Sequence, residues 1–336
     1  MTLSIHSLSM TQYALELDKA VQVNVFDNSP RKCWHVCAQT VDGLTGWGDI
    51  APWPGFSETS GEIDAQIHQL EKTVSSSQLK DIDEMEKWLD DLAVAPVIRS
   101  GLELACLDLF AQIAGVPIAA LLHPKHATEL SVHALVDTAE TAIKWVESGA
   151  ASIKVKLSDS WVDDRSRIRD IRRAVPQAKL RLDANGAWTA SLAKQRVMEL
   201  NKLGIDIIEQ PVSAGDLAGL RAVASACEMT VSADESVCFD ADSVLAIDGL
   251  NEIVLKPMYL GGLRPSFELA RKAHQRGMRV CVTHALESTI GRTGAGHLAA
   301  ASDALRPAVH GVSGAWARSD LEITVPQTPG LGVSVQ

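Results

Sequence analysis

The sequence predicts an α/β protein in two parts: an N-terminal α+β capping unit over residues 1–125 and a closed barrel of the (β/α)8 type over residues 126–315. Three observations predict it. The first fifty residues alternate apolar and polar side chains, as half-buried strands do. From about residue 129 short apolar runs alternate instead with amphipathic stretches, which implies parallel strands joined by helices. About eight such runs follow one another, which favours a closed barrel over an open sheet.

Taken in order, "YALEL", "VQVNVF", "CWHVCAQTV" and "GLTGWGDI" read as antiparallel strands, with turns at Asn28-Ser29-Pro30 and Asp42-Gly43. Thr59 with Glu62 three residues later is a capping box. In the helix behind it Ile63, Ile67, Leu70 and Val74 share one face. Two more helices are expected over about 82–92 and 97–115. The barrel strands are "LSVHALVD", "SIKVKL", "KLRLDAN", "IDIIEQP", "TVSADES", "NEIVLKP", "RVCVTH" and "PAVHGVSG". The tail over 316–336 is too short for another strand–helix unit and is expected to pack back on the first part.

Composition excludes several classes of partner. The net charge is −11 and the basic residues do not gather into a run, so no nucleic-acid surface is expected. The longest apolar stretch, from Leu102, is interrupted by Glu103, Asp108, Gln112 and Pro117, so no membrane span is expected. The first twenty residues lack the basic start and apolar core of a signal peptide. Six cysteines are scattered without a C-x-x-C pair. Cys33 and Cys37, with His35 between them, lack the second pair that a zinc site needs. A reduced, cytoplasmic protein is expected, with its oligomeric state open.

The chemistry is carried by the strand ends. In "SIKVK", Lys154 and Lys156 lie two apart, so a strand aims both the same way. Alone, such a pair reads as an exposed edge strand. From Lys156 the steps to Asp183, Glu209, Asp234 and Lys256 are 27, 26, 25 and 22 residues, about one strand–helix unit each. His284 and His310 end the next two strands. In a β/α barrel the carboxyl ends of the strands converge on one mouth. A single acid there is often a helix cap or turn residue. Three acids on successive strands repel unless a cation sits among them. All-oxygen ligation suits a hard ion, Mg²⁺ foremost with Mn²⁺ as a substitute. Asp183, Glu209 and Asp234 are thus the candidate ligands, and they leave room for a substrate carboxylate. Lys156 and Lys256 flank them as candidate bases, since burial and neighbouring positive charge lower a lysine pKa.

These motifs resemble those of the enolase superfamily, in its muconate-lactonizing subgroup. "KVK" at 154–156 is similar to its K-x-K. "LRLDANGAW" at 180–188, "IIEQP" at 207–211, "SADES" at 232–236 and "VLKP" at 254–257 are similar to its ligand strands and second lysine. Two further stretches resemble the o-succinylbenzoate synthases: the loop "GWGDIAPWPGFSET" at 46–59 and "ALESTIG" at 285–291. The chain departs from that pattern at Asp49, where glutamate is usual, and at His284, where serine is common. The resemblance implies an enolase-like fold, with a capping domain and a modified barrel. It also implies Mg²⁺-dependent syn dehydration of 2-succinyl-6-hydroxy-2,4-cyclohexadiene-1-carboxylate, a step of menaquinone or phylloquinone synthesis. By the family's roles Lys156 takes the proton alpha to the carboxylate, and Lys256 stabilises the resulting enediolate. Lys154, Arg181, Asn185, Glu235, Thr283, His284 and Gly311 would support the site or touch substrate. The alternatives are an N-succinylamino-acid racemase, a dipeptide epimerase or a muconate cycloisomerase. Dipeptide epimerases carry Asp-x-Asp on the eighth strand, where this chain reads His310-Gly311-Val312. A non-catalytic, metal-stabilised barrel is the alternative of another class.

Overall fold

The structure, a computed structural model, describes residues 2–16, 30–73, 77–150, 152–312 and 322–335. The expected strand "VQVNVF", the turn residues Asn28 and Ser29, and Val74 lie outside the described residues. Strands β1 (Leu3–Leu15), β2 (Arg31–Thr40), β3 (Thr45–Ile50) and β4 (Ser77–Leu79) form an antiparallel sheet of order β3-β2-β1-β4. Three helices accompany it: α1 (Ser60–Thr73), α2 (Ile82–Asp91) and α3 (Pro96–Ala114). The capping box forms, with the Glu62 carboxylate accepting from the Thr59 N–H at 2.8 Å, and Ile63, Ile67 and Leu70 are buried as the periodicity requires. Strand β3 lies directly on α3. A Cβ at Gly48 would overlap the Gly101 carbonyl, so the alternation of the strand carries glycine where a side chain cannot fit.

Helix α4 (Ile118–Leu122) leads into the barrel. Its first strand is β5 (Glu129–Val132) continued, past His133, by β6 (Ala134–Leu135). There follow α5 (Ala139–Glu147), β7 (Ser152–Lys156), α6 (Trp161–Ala174), β8 (Lys179–Asp183), α7 (Ala190–Asn201), β9 (Ile207–Glu209) and α8 (Leu217–Ala224). The chain continues through β10 (Thr230–Ala233), α9 (Glu235–Leu245), β11 (Glu252–Leu255), α10 (Leu263–Gln275), β12 (Arg279–Val282), α11 (Thr289–Asp303) and β13 (Val309–His310). The strands from β6 to β12 pair in parallel in sequence order. Strand β13 closes the ring, paired in parallel with β5 and bridged to the β12 side through Thr283 and Gly311. Each expected barrel strand is present. After β13, among the described residues, the chain forms β14 (Glu322–Thr324), antiparallel to β5, instead of an eighth helix. Farther on, Gly330 exchanges backbone hydrogen bonds with Val116 and Ile118, and the Leu331 N–H donates to Asp108 at 2.8 Å.

Helix α3 is buried on nearly all sides because it lies between β3 and barrel helices α10 and α11. Its one buried glutamate, Glu103, accepts from the N–H groups of Leu263 and Arg264, the first of α10. An acidic side chain from the cap thus accepts from the first N–H groups of a barrel helix. Among the described residues no helix is long and apolar enough to cross a membrane.

Candidate active site

Parallel register sets the acids side by side. Lys156 pairs with Asp183 across β7–β8, Asp183 with Glu209 across β8–β9, and Glu209 with Ser232, two residues before Asp234. Lys154 Nζ lies 2.8 Å from Asp183 Oδ2 and 3.0 Å from both Glu209 oxygens. Lys256 Nζ is ion-paired with Asp234 and sits 4.7 Å from the centre of the Phe56 ring. Lys156 is exposed at the end of its strand. The Asn185 N–H donates to Asp183 Oδ1 at 3.0 Å and its amide reaches Glu235 Oε1 at 3.4 Å.

The ionisation of Lys256 differs from the sequence reading, and Lys154 shows the same effect. Burial acts to lower the pKa of Lys154, but Asp183 and Glu209 outweigh it and hold the ammonium above its ordinary value. Lys256 behaves alike: burial is outweighed by Asp234 and Glu235. The acids that the sequence assigns to a metal are here the partners of the lysines. Burial, followed by the charge of Asp234, pushes the Glu235 carboxyl up to about 8.

Arg181 does not face the mouth. It is 1 % exposed, inside the barrel beneath Glu209, with Nε 2.5 Å from Glu209 Oε2. Its other nitrogens reach Glu252 at 2.5 Å and Ser232 at 3.0 Å. It braces Glu209 from below. Burial raises the Glu209 pKa, but Arg181 and then Lys154 reverse this and hold it well below the carboxylate range. Thr283, His284 and Gly311 meet at the β12–β13 seam. Thr283 Oγ1 donates to the Gly311 carbonyl at 3.1 Å, and the His284 N–H does so at 3.3 Å. His284 Nδ1 accepts from the Leu286 N–H. His310 turns away from the other strand-end groups. It is fully buried, accepting from the Val282 N–H and lying 3.0 Å from Asp303.

The donor set fits a hard cation in its chemistry. Asp183, Glu209 and Asp234 are buried carboxylates at successive strand ends, and a positive group, the Lys154 ammonium, already sits between two of them. As they stand, no three His, Cys, Asp or Glu side chains among the described residues close on one point. Binding an ion there requires Lys154 and Lys256 to yield their carboxylate partners.

Sequence reasoning missed the contact that joins cap and barrel. Arg31, 1 % exposed, donates to the carbonyls of Ala51 and Pro52 in the cap loop and of Ala285 and Leu286 after β12. It also reaches Tyr259 Oη at 3.1 Å, and its guanidinium stacks on Trp53. Asp49 accepts from Tyr13 Oη at 2.8 Å and from the Ser288 N–H and hydroxyl at 2.9 and 2.7 Å. Phe56 stacks on Tyr259, ring centres 5.2 Å apart. The stretches 46–59 and 285–291, far apart in sequence, are therefore one unit at the side of Lys256.

A family model described as Enolase C-terminal domain-like matches residues 137–336. The chain belongs to the enolase superfamily. Superfamily relatives differ in activity. The hydrophobic dipeptide epimerase of Enterococcus faecalis is 32% identical over 78% of this chain and 77% of its own length. The o-succinylbenzoate synthase of Geobacillus kaustophilus is 29% identical over 88% and 84%. The crystal structure of the Enterococcus faecalis dipeptide epimerase, complexed with Mg and the dipeptide L-Leu-L-Tyr, superposes with a TM-score of 0.87. It is 26% identical, covering 99% of this chain and all of that one.

Proposed function

We propose that the chain is a Mg²⁺-dependent o-succinylbenzoate synthase, a lyase that removes a proton alpha to a carboxylate and expels a hydroxyl from the same face. The observation that carries this reading is the end of β13. His310 is turned away from the other strand-end groups onto Asp303 of α11, Gly311 is held in the seam with Thr283, and residues 309–312 carry no acidic side chain to hold a dipeptide's ammonium. The side wall beside Lys256 is aromatic, with Phe56 and Tyr259, and suits a cyclohexadiene ring.

Asp183, Glu209 and Asp234 would hold Mg²⁺, with Arg181 bracing Glu209 from beneath. When bound, the ion would supply positive charge to the substrate carboxylate as negative charge develops on it. The residues of the chain do the rest. Lys156, exposed at its strand end and on the same strand face as Lys154, takes the alpha proton and returns it to the departing hydroxyl. Lys256 stays charged and stabilises the developing anion from the opposite side, over the ring face. The packed cap loop limits water at that side.

A second reading, epimerisation or racemisation of a dipeptide or an N-succinylamino acid, is favoured by the relatives with epimerase names and by two lysines on opposite sides of the acids. One panel separates the two. The purified protein with Mg²⁺ is given the cyclohexadiene acid, N-succinylamino acids and dipeptides. Dehydration of the first at the highest kcat/KM supports the synthase. Efficient epimerisation of a dipeptide without dehydration would replace it.

A further inference from the structure

Gln210 has no role in any step above, yet it is tightly held at the mouth. It is fully buried, it follows Glu209 directly, and its φ of +37° lies in the left-handed region. That region is unfavourable for a residue with a side chain, and the proline that follows restricts the backbone further. Such strain persists only where the surroundings over-determine it.

The hydrogen bonds show what fixes it. The Gln210 N–H donates to the Ser232 carbonyl at 2.9 Å, and its carbonyl accepts from the Gly186 N–H at 2.7 Å. Its backbone therefore ties the strand end of Asp234 to the loop behind Asp183. Its side chain does more. Oε1 accepts from the N–H groups of Asp234 at 2.8 Å and Ser236 at 3.1 Å, where α9 begins. Nε2 donates to the Val212 carbonyl and to Ser236 Oγ, both at 2.7 Å. Because Ser236 Oγ itself donates to the Ala214 carbonyl, the amide orientation is set.

Asp234 is the residue at the N-cap of α9, and an aspartate there ordinarily turns its carboxylate back onto the N–H groups of the first turn. Here it makes no such bond. Its carboxylate is directed instead at Lys256. The capping is done from the neighbouring strand, by Gln210.

We infer that Gln210 is a positioning residue: it caps α9 in place of Asp234, so that the Asp234 carboxylate is released into the mouth, and it locks the strand ends of Asp183, Glu209 and Asp234 at one spacing. This rests on the reading of those three acids as the Mg²⁺ site. The two roles need an acceptor and two donated protons at this length: a carboxyl group supplies at most one proton for the Val212 carbonyl and Ser236 Oγ, and asparagine is one methylene short.

The test is calorimetric titration of Mg²⁺ into the protein without substrate, for wild type, Gln210→Ala and Gln210→Met. The methionine variant keeps the volume and covers the case in which the alanine variant fails to fold. Leu200→Ala, in the buried face of α7, serves as a control for general destabilisation. Outer partners of metal ligands are typically worth about 10–100-fold in affinity. Both Gln210 variants should bind Mg²⁺ more weakly by that factor, the control should not, and amide exchange at Asp234 and Ser236 should quicken. Variants that bind Mg²⁺ like wild type, or that weaken it no more than Leu200→Ala, overturn the inference. A wild type that binds no Mg²⁺ removes the metal-site reading, and this inference with it.

Discussion

Replacing Glu287 by glutamine would remove one titration and almost no volume. Glu287 is 1 % exposed. Burial, then the charge of Asp49, push its carboxyl up to about 7 against the pull of Arg31. In the unfolded chain a glutamate titrates at about 4.3. The folded value is the higher, so between the two the folded state keeps a proton that the unfolded state has released. Stability therefore falls as pH rises through this window. Summed from pH 5 to pH 8, the two values correspond to a loss of about 2.5 kcal/mol from this group. Glu287→Gln lacks that slope, and its amide oxygen can still accept from the Ala285 N–H that Glu287 now holds. The assay is urea unfolding of both proteins at pH 5, 6, 7 and 8, read as the difference between them. The variant should gain on wild type by about 2–3 kcal/mol, mostly below pH 7. A difference flat to within about 0.5 kcal/mol would refute the reasoning, because Glu287 would then be ionised in the folded state, with Arg31 the governing partner.

Asp183→Asn, Glu209→Gln and Asp234→Asn should each weaken Mg²⁺ binding in calorimetry and abolish turnover while the circular dichroism spectrum stays unchanged. A variant that keeps both affinity and rate is not a ligand. Gly48→Ala should destabilise the protein by about 1–3 kcal/mol in thermal melts, because its Cβ meets the Gly101 backbone; an unchanged melt would show that β3 and α3 separate easily. Lys156→Ala should lose at least the roughly 10²–10⁴-fold that a positioned base is worth, whereas Lys256→Arg should outperform Lys256→Ala. Deuterium exchange by both single alanine variants, each on one enantiomer of an N-succinylamino acid, would favour the racemase instead.

The barrel was legible because each strand is a short apolar run and each helix a 3.6-residue pattern. The charged set was legible because each member ends a strand at a nearly regular step. Where local signals met tertiary contacts they failed. Asp234 stands where an N-cap belongs, and nothing in "SADES" says that Gln210, 24 residues earlier, takes over the capping. Arg31 stands at the polar start of an apolar strand, yet it donates to carbonyls 254 and 255 residues away. His310 lies in a strand of two residues, too short for alternation to show which way it turns. The sequence pattern shows the acids converging but not that Asp234 and Glu235 lie close enough to Lys256 to raise its pKa against burial.

Relatives with epimerase and synthase names match this chain at nearly the same identity, 32% and 29%. Overall likeness therefore does not separate the reactions, and the difference has to lie in particular residues around the acids. Two segments beside Lys256, 46–59 and 285–291, are held to each other, and neither is fixed alone. Leu286 sits at a φ of +56°, and Arg31 binds its carbonyl while also binding those of Ala51 and Pro52. Moving one segment moves the other. Arg31→Met keeps most of the side chain's length and removes all five hydrogen bonds at once. It should raise KM for the preferred substrate and flatten the preference across the panel, while Mg²⁺ affinity stays as in wild type, since none of the three acids touches Arg31. A uniform fall in kcat across every substrate, with KM unchanged, would place Arg31 in support of the reacting groups and not of the specificity wall.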